Sequence, residues 1–409
     1  MMRARKFLGL TLALLVSFAG VRPALAQVAV RGETVHTMAG APIKDGVVLI
    51  RGGKIERVGP ASQVQIPSGY RTLTAKVVTP GLVDAHSAVG LSGYLNQPHD
   101  QDQLETSAPM QPELRAIDAY NASEKLVEHL REYGVTTLHT GHAPAALISG
   151  QTMIVKTRGK EVENAVIVPT AMISATLGNG GLGQGGRPPG TRSKAVAMLR
   201  GELLKAKDYG ARWAAAAEDK KPARDLRSEA LARVTRKEIP LLVTAHRAND
   251  ILTALRVAKE FDINIILDGA SESYLVADQI KAAGVPVILH ATMFRATGEG
   301  ENLSMETAAT LRKAGIPVAL QSGFEGYVPK TRVVLFEAAI AAANGLSFDD
   351  ALASITIDAA RILGISGRVG SLEAGKDADV VLFDGDPFEY TSHVTAVIIE
   401  GEVVSQQAR

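Results

Sequence analysis

The sequence contains no cysteine, so no thiolate can serve as nucleophile or metal ligand and no disulfide can staple the fold. An excess of charge is missing too: 44 Lys and Arg against 43 Asp and Glu leave a net charge of +1, a field too weak to argue for nucleic acid or another strongly charged partner. Aromatic residues are scarce, at 4%. Beyond the N-terminus no apolar run approaches the roughly 20 residues that a transmembrane helix needs. No G-x-S-x-G elbow, Walker sequence or H-E-x-x-H occurs.

What is present is a chain of 409 residues, 46% hydrophobic and 21% charged, the composition of a globular protein with one large domain and an accessory. Arg3, Arg5 and Lys6 precede an apolar run from Phe7 to Ala19, and Ala24-Leu25-Ala26 stand before Gln27. That order reads as a secretory signal with an A-x-A cleavage site. It predicts an exported, periplasmic protein that begins near Gln27 and keeps no membrane span after cleavage. Left uncleaved, the same run would be an N-terminal anchor.

From Val28 to Val78 short β-branched runs are separated by turns, and Gly52-Gly53 between Val47–Ile50 and Lys54–Val58 predicts a tight hairpin. Similar runs return at 378–383 and 394–404, so both chain ends are expected in one small sheet. Between them strand-like and helix-like runs alternate. Leu241–Ala245 suits a strand buried on both faces, and the next helix places Ile251, Leu252, Leu255 and Ala258 on one side. Gly284 and Gly315 each end a helix before a Pro-Val strand, and a late helix is expected from about Lys330 to Asn344.

The predicted fold is α/β, a (β/α)8 TIM barrel over 81–366, with a small β-sandwich accessory domain formed by 27–80 and 367–409. A doubly wound open sheet satisfies the same pattern. In a barrel the working residues sit at the C-terminal ends of the strands. Three such ends carry His86, His246 and Asp268. Two imidazoles and a carboxylate on one mouth can hold one divalent ion, Zn²⁺, Mn²⁺ or Fe²⁺, with positions open for water; the same side chains, metal-free, can act as an acid–base pair. Asp268 is the candidate catalytic residue. His139, His142 and Lys156 are weaker metal candidates, and His290 ends a further strand. The loop from Leu177 to Gly186 contains G-x-G-x-x-G, read as a mobile loop over the mouth rather than a phosphate cradle.

Several segments resemble one family. They are Pro80–Leu91, Ala116–Asp118, Gly150–Lys156, Ala245–Ile251 and the closing Arg368–Asp379, with its Gly-Lys-Asp-Ala-Asp turn. Together they are similar to the imidazolonepropionase-like branch of the amidohydrolase superfamily, over nearly the whole mature chain. The resemblance implies a (β/α)8 barrel with a two-ended β domain and a metal site at the mouth. His86 and His246 then match metal-binding histidines of strands 1 and 5. The second histidine of strand 1 falls on Ala88, the histidine of strand 6 on Asp268, and the aspartate of strand 8 on Gly323. Lys156 would be the candidate for a bridging carboxylated lysine.

Two functions are therefore expected. One is hydrolysis of carbon–nitrogen bonds in a small amide, cyclic amide or dipeptide, with a reduced mononuclear metal site. The other is a non-catalytic relative that binds through the barrel, as a homo-oligomer or beside an intact paralogue.

Overall fold

The computed structural model describes residues 27–409 apart from 184, 291–295 and 325–332. The expected signal at 1–26 lies outside the described residues, as do Gln184 of the glycine-rich loop and Lys330, the expected start of the late helix. That helix is described over Val334–Ala343.

Four strands open the chain: β1 (Val28–Val35), β2 (Ile43–Arg51), β3 (Lys54–Pro60) and β4 (Arg71–Pro80). β2 and β3 pair antiparallel around Gly52 and Gly53, whose φ values of +59° and +80° are the left-handed ones a two-residue hairpin needs. There follow β5 (Leu82–Ser87), β6 (Val135–Thr140), β7 (Ile148–Gln151), β8 (Met153–Lys156) and β9 (Val166–Val168). Next come β10 (Ile173–Thr176), β11 (Leu241–Ala245), β12 (Ile265–Gly269), β13 (Val287–Leu289) and β14 (Val318–Leu320). The chain ends with β15 (Val380–Phe383), β16 (Val394–Ile399) and β17 (Glu402–Ser405).

The terminal strands form one seven-stranded sheet in the order β17-β16-β15-β4-β1-β2-β3, with β15 antiparallel to β4. Period-two alternation gives β15 two uses. Val380 and Leu382 pack with Val28, Val30 and Ile50 inside the sheet's own cluster. Val381 and Phe383 pack into the cluster that also holds Leu82, Val135 and Leu138.

The middle strands are α/β. β10 to β14 run parallel in sequence, β5 runs parallel to β6, and a bridge between Ser87 and Gly323 joins the two sets. One aliphatic cluster takes a side chain from each of several strands, Val83, Ile154, Leu242, Ile266, Ile288 and Ala319, above Ala359, Ala360 and Leu363 of the helix Ile357–Ile362 and the turn after it.

The pattern departs from eight β/α units at one place. The stretch 148–156 runs antiparallel to both neighbours, β8 to β6 and β7 to β10. Its cause is the connection 141–147, shorter than the roughly dozen residues a parallel crossover requires.

The helix Ala248–Phe261 buries Ile251, Ala254, Val257 and Phe261, while Leu252, Leu255 and Ala258 are only partly buried. The inward stripe is thus rotated from the one predicted. Gly284 and Gly315 both hold positive φ after their helices, as expected of helix-ending glycines. No helix among the described residues is long and apolar enough to cross a membrane.

Candidate functional site

At the C-terminal ends of β5, β11, β12, β13 and β14 side chains converge on a cavity of about 300 Å³, lined among others by His86, Ala88, Thr244, His246, Asp268, His290, Gln321 and Gly323. The three principal sequence candidates, His86, His246 and Asp268, are therefore brought together.

Asp268 is the hub. Its register partner on β11 is Thr244, whose hydroxyl donates to Oδ2. Oδ1 accepts from His86 Nδ1 at 2.9 Å and from Gln321 Nε2 at 2.8 Å. Burial pushes the carboxyl up, but the neighbouring His86 and these donors outweigh it and hold Asp268 well below the usual carboxylate range. For His86 burial acts downward, and the charge and hydrogen bond of Asp268 more than reverse it, so the imidazole is raised. Both shifts favour an imidazolium–carboxylate ion pair, with each side chain more than nine-tenths buried.

His246 follows β11, with Nδ1 hydrogen-bonded to Ser271 Oγ at 2.8 Å. Its ring lies against Gly269, where an added Cβ would stand 2.8 Å from Cε1 and the φ is +72°; a side chain after Asp268 would displace the imidazole. Burial lowers His246, and its ring centroid is 5.7 Å from that of His290.

The weaker candidates separate. His139 faces His86 at 5.4 Å between ring centroids, but both nitrogens are engaged, Nδ1 with Ala85 O and Nε2 with Thr152 Oγ1, each at 2.7 Å. Burial drives its pKa down to about 3, so the neutral ring donates from Nδ1 to the carbonyl and accepts the threonine hydroxyl at Nε2. His142 is buried against Gly150 and is absent from the cavity lining. Lys156 lies at the opposite end of the strands: β8 is reversed, so its C-terminus points away from the mouth. The ammonium is buried on Asp379 and, at 3.2 Å, on Asp377, so it is not poised to bridge metals.

The glycine-rich loop is tied down. Asn179 N donates to Glu299 at 2.9 Å, and Arg192 spans Glu299 and Asp250. Two carboxylates thus crowd Gly178, where a phosphate would be repelled.

A metal ion is tested by these contacts. Asp268, the only carboxylate among the described residues of the lining, has both oxygens engaged by donors from His86, Gln321 and Thr244, and His86 turns Nδ1 to it. Ala88 and Gly323 supply no donor side chain. Among the described residues no three His, Asp or Glu side chains group so as to hold a metal. Among the described residues the arrangement does not fit the family's metal.

Thr244 and Gln321 were not among the sequence candidates. Thr244 was findable, two residues before His246 on the same strand face. Gln321 is the first polar residue after β14, yet a lone glutamine carries no ligand signal.

The amidohydrolase family profile matches residues 77–404. The chain is similar to imidazolonepropionase from Brucella anthropi, 24% identical over 387 residues covering 88% of this chain and 91% of that protein. It is also similar to amidohydrolase tasK from Hapsidospora irregularis, 25% identical over 87% of this chain but only 39% of that larger protein. Among solved structures, an amidohydrolase from Thermotoga maritima MSB8 superposes with a TM-score of 0.87 at 31% identity, covering 93% of this chain and all of that one. A prolidase-like structure from Bifidobacterium longum, at 18% identity and a TM-score of 0.58, shares the fold alone. With a family profile over most of its length, imidazolonepropionases aligned along nearly all of it and a solved amidohydrolase superposing on 93% of it, the chain belongs to the amidohydrolase family, as an imidazolonepropionase-like member.

Proposed function

We propose that this chain uses the barrel mouth to bind a small molecule, in a family whose chemistry is hydrolysis of carbon–nitrogen bonds, without the metal centre that performs such hydrolysis. In this reading the paired strands form a (β/α)8 barrel with a reversed third strand, and the two-ended sheet is its accessory domain. The reading is carried by the His86–Asp268 ion pair: the carboxylate that replaces a histidine ligand is satisfied inside the protein. Ala88 and Gly323 leave room in the cavity rather than donors.

The test is metal content and turnover together. Protein purified without chelators and offered Zn²⁺, Mn²⁺ or Fe²⁺ is expected to retain less than one ion per chain and to leave amide, cyclic amide and dipeptide substrates intact. Stoichiometric metal with turnover abolished by His246→Ala in a folded variant would sink it.

A second reading has one observation in its favour. His246 and His290 sit on the same cavity as the pair, so opening the pair would release a carboxylate and an imidazole beside two more imidazoles. That would be a reduced mononuclear hydrolase, and the same experiment selects it. Export is likewise proposed on Arg3, the run to Ala19 and Ala24–Ala26; N-terminal sequencing of secreted or periplasmic material is expected to begin at Gln27.

A further inference from the structure

Gln321 joins the cavity wall just after β14 with its amide fixed in one orientation. Nε2 donates to Asp268 Oδ1 at 2.8 Å and to the backbone carbonyl of Ile288 at 3.2 Å. Both partners are accepting oxygens, so the nitrogen has to face them and its two N–H groups are spent. A backbone carbonyl accepts at every pH, which makes this orientation independent of how His86 and Asp268 share their charge. The side chain is 3% exposed, and its Oε1 accepts no hydrogen bond from the described residues. That oxygen lies beside the space left by Gly323, where an added Cβ would stand 3.9 Å from it, and both residues line the cavity. An occupant is therefore offered a lone pair that no described group uses.

We propose that Gln321 Oε1 is the specificity-determining acceptor of the cavity, and that its ligand is a compact uncharged molecule carrying a hydrogen-bond donor, such as an amide N–H. This rests on the binding reading above and names its ligand class. An acceptor buried without a donor is costly; a ligand N–H removes that cost, and a ligand with acceptors alone leaves it in place. Sites built on such a group reject analogues that lack the donor far more sharply than an apolar pocket rejects a change of size. An anion meets the same oxygen with like sign and no proton to give. A cation would want a free carboxylate, and the oxygens of Asp268 are already engaged. The rest of the wall fits an uncharged frame: Ala88, Ala143, Pro144, Ala145 and Phe324 contribute no hydrogen-bonding side chain. A volume of about 300 Å³ is at the small end of ligand sites.

The experiment is an NMR titration of the full chain with N-methylacetamide, with acetate and with methyl acetate, which keeps the shape of the amide but has an ester oxygen in place of the N–H. Zn²⁺ is titrated alongside. N-methylacetamide is expected to bind at least about fivefold more tightly than methyl acetate or acetate. Gln321→Met keeps the length of the side chain and removes its carbonyl, so the ratio of amide to ester affinity is expected to fall to about one. Merely structural damage would weaken both ligands alike and leave that ratio standing. Equal affinity for amide and ester, acetate bound most tightly, no binding of N-methylacetamide, or the ratio retained in folded Gln321→Met would overturn the proposal. The ligand ranking is read on the unaltered chain, so it decides even where the variant does not fold. Zn²⁺ bound with turnover would instead overturn the binding reading beneath; loss of amide preference with no metal bound removes the role of Gln321 alone.

Discussion

A carboxylate taken out of water keeps its charge only if donors replace the lost solvation, and Asp268 receives them from three different strand ends. Removing the charge while keeping the shape, Asp268→Asn, takes away the group that raises His86, so burial returns the imidazole to its neutral form and the ion pair and its hydrogen bonds are lost. The expected cost is about 3 kcal/mol, read as a lower urea midpoint with unchanged slope. The sign of the pH response follows. The depressed Asp268 contributes stability above its unfolded pKa of about 4 and loses it in acid. The raised His86 contributes fully below about 6.5 and loses it as pH climbs through its folded value. Between those limits the pair is strongest. Asp84 acts in the other direction. Raised to about 6 by burial, it binds a proton more readily folded than unfolded, so its contribution falls as pH rises from about 4 through 6. Asp84→Asn is expected to flatten that part of a melting temperature against pH curve; an unchanged slope would show that Asp84 does not titrate there.

At the scale of elements, direction mattered more than composition. The alternation of runs, the Gly52-Gly53 hairpin and the glycine stops at 284 and 315 were all legible because turn chemistry and periodicity are local. The reversed strand was not, since a strand reads the same in either direction. That single reversal moved Lys156 from a candidate at the mouth to a buried ion pair at the far end. There it joins β8 to the segment before β15 through Asp377 and Asp379, with Lys54 and Arg368 also on Asp377 at 2.6 and 2.9 Å. Asp379→Ala, which strips the buried ammonium of a partner, is expected to cost about 3–5 kcal/mol in denaturant unfolding. A loss under 1 kcal/mol, about what an exposed pair contributes, would mean the junction is solvated. Loops carry their own constraint. Gly178 has φ +86° and would place a Cβ 2.7 Å from a Glu299 oxygen, so Gly178→Ala is expected to destabilise by about 1–3 kcal/mol and to raise proteolysis within 178–186.

For the whole molecule, the sheet built from both chain ends is not a separate body in its packing. Val381, Phe383, Val394, Val397 and Ile399 belong to the same apolar cluster as Leu82, Val135 and Leu138 of the strands that lead to the mouth. Calorimetry of the mature chain is accordingly expected to show one transition, with calorimetric and van't Hoff enthalpies in agreement. Two resolved transitions would mean that the shared cluster does not couple the parts. His86, His246 and Asp268 were recognisable one by one as strand-end residues. That Asp268 would answer to His86 was not, because a sequence shows which groups exist but not which of them neutralise one another. In the binding reading proposed above, the counter-charge to His86 is covalently part of the polypeptide, so the mouth is finished the moment the chain folds. On that reading its maturation calls for no loading step, and scarcity or surplus of trace elements in the surroundings passes it by.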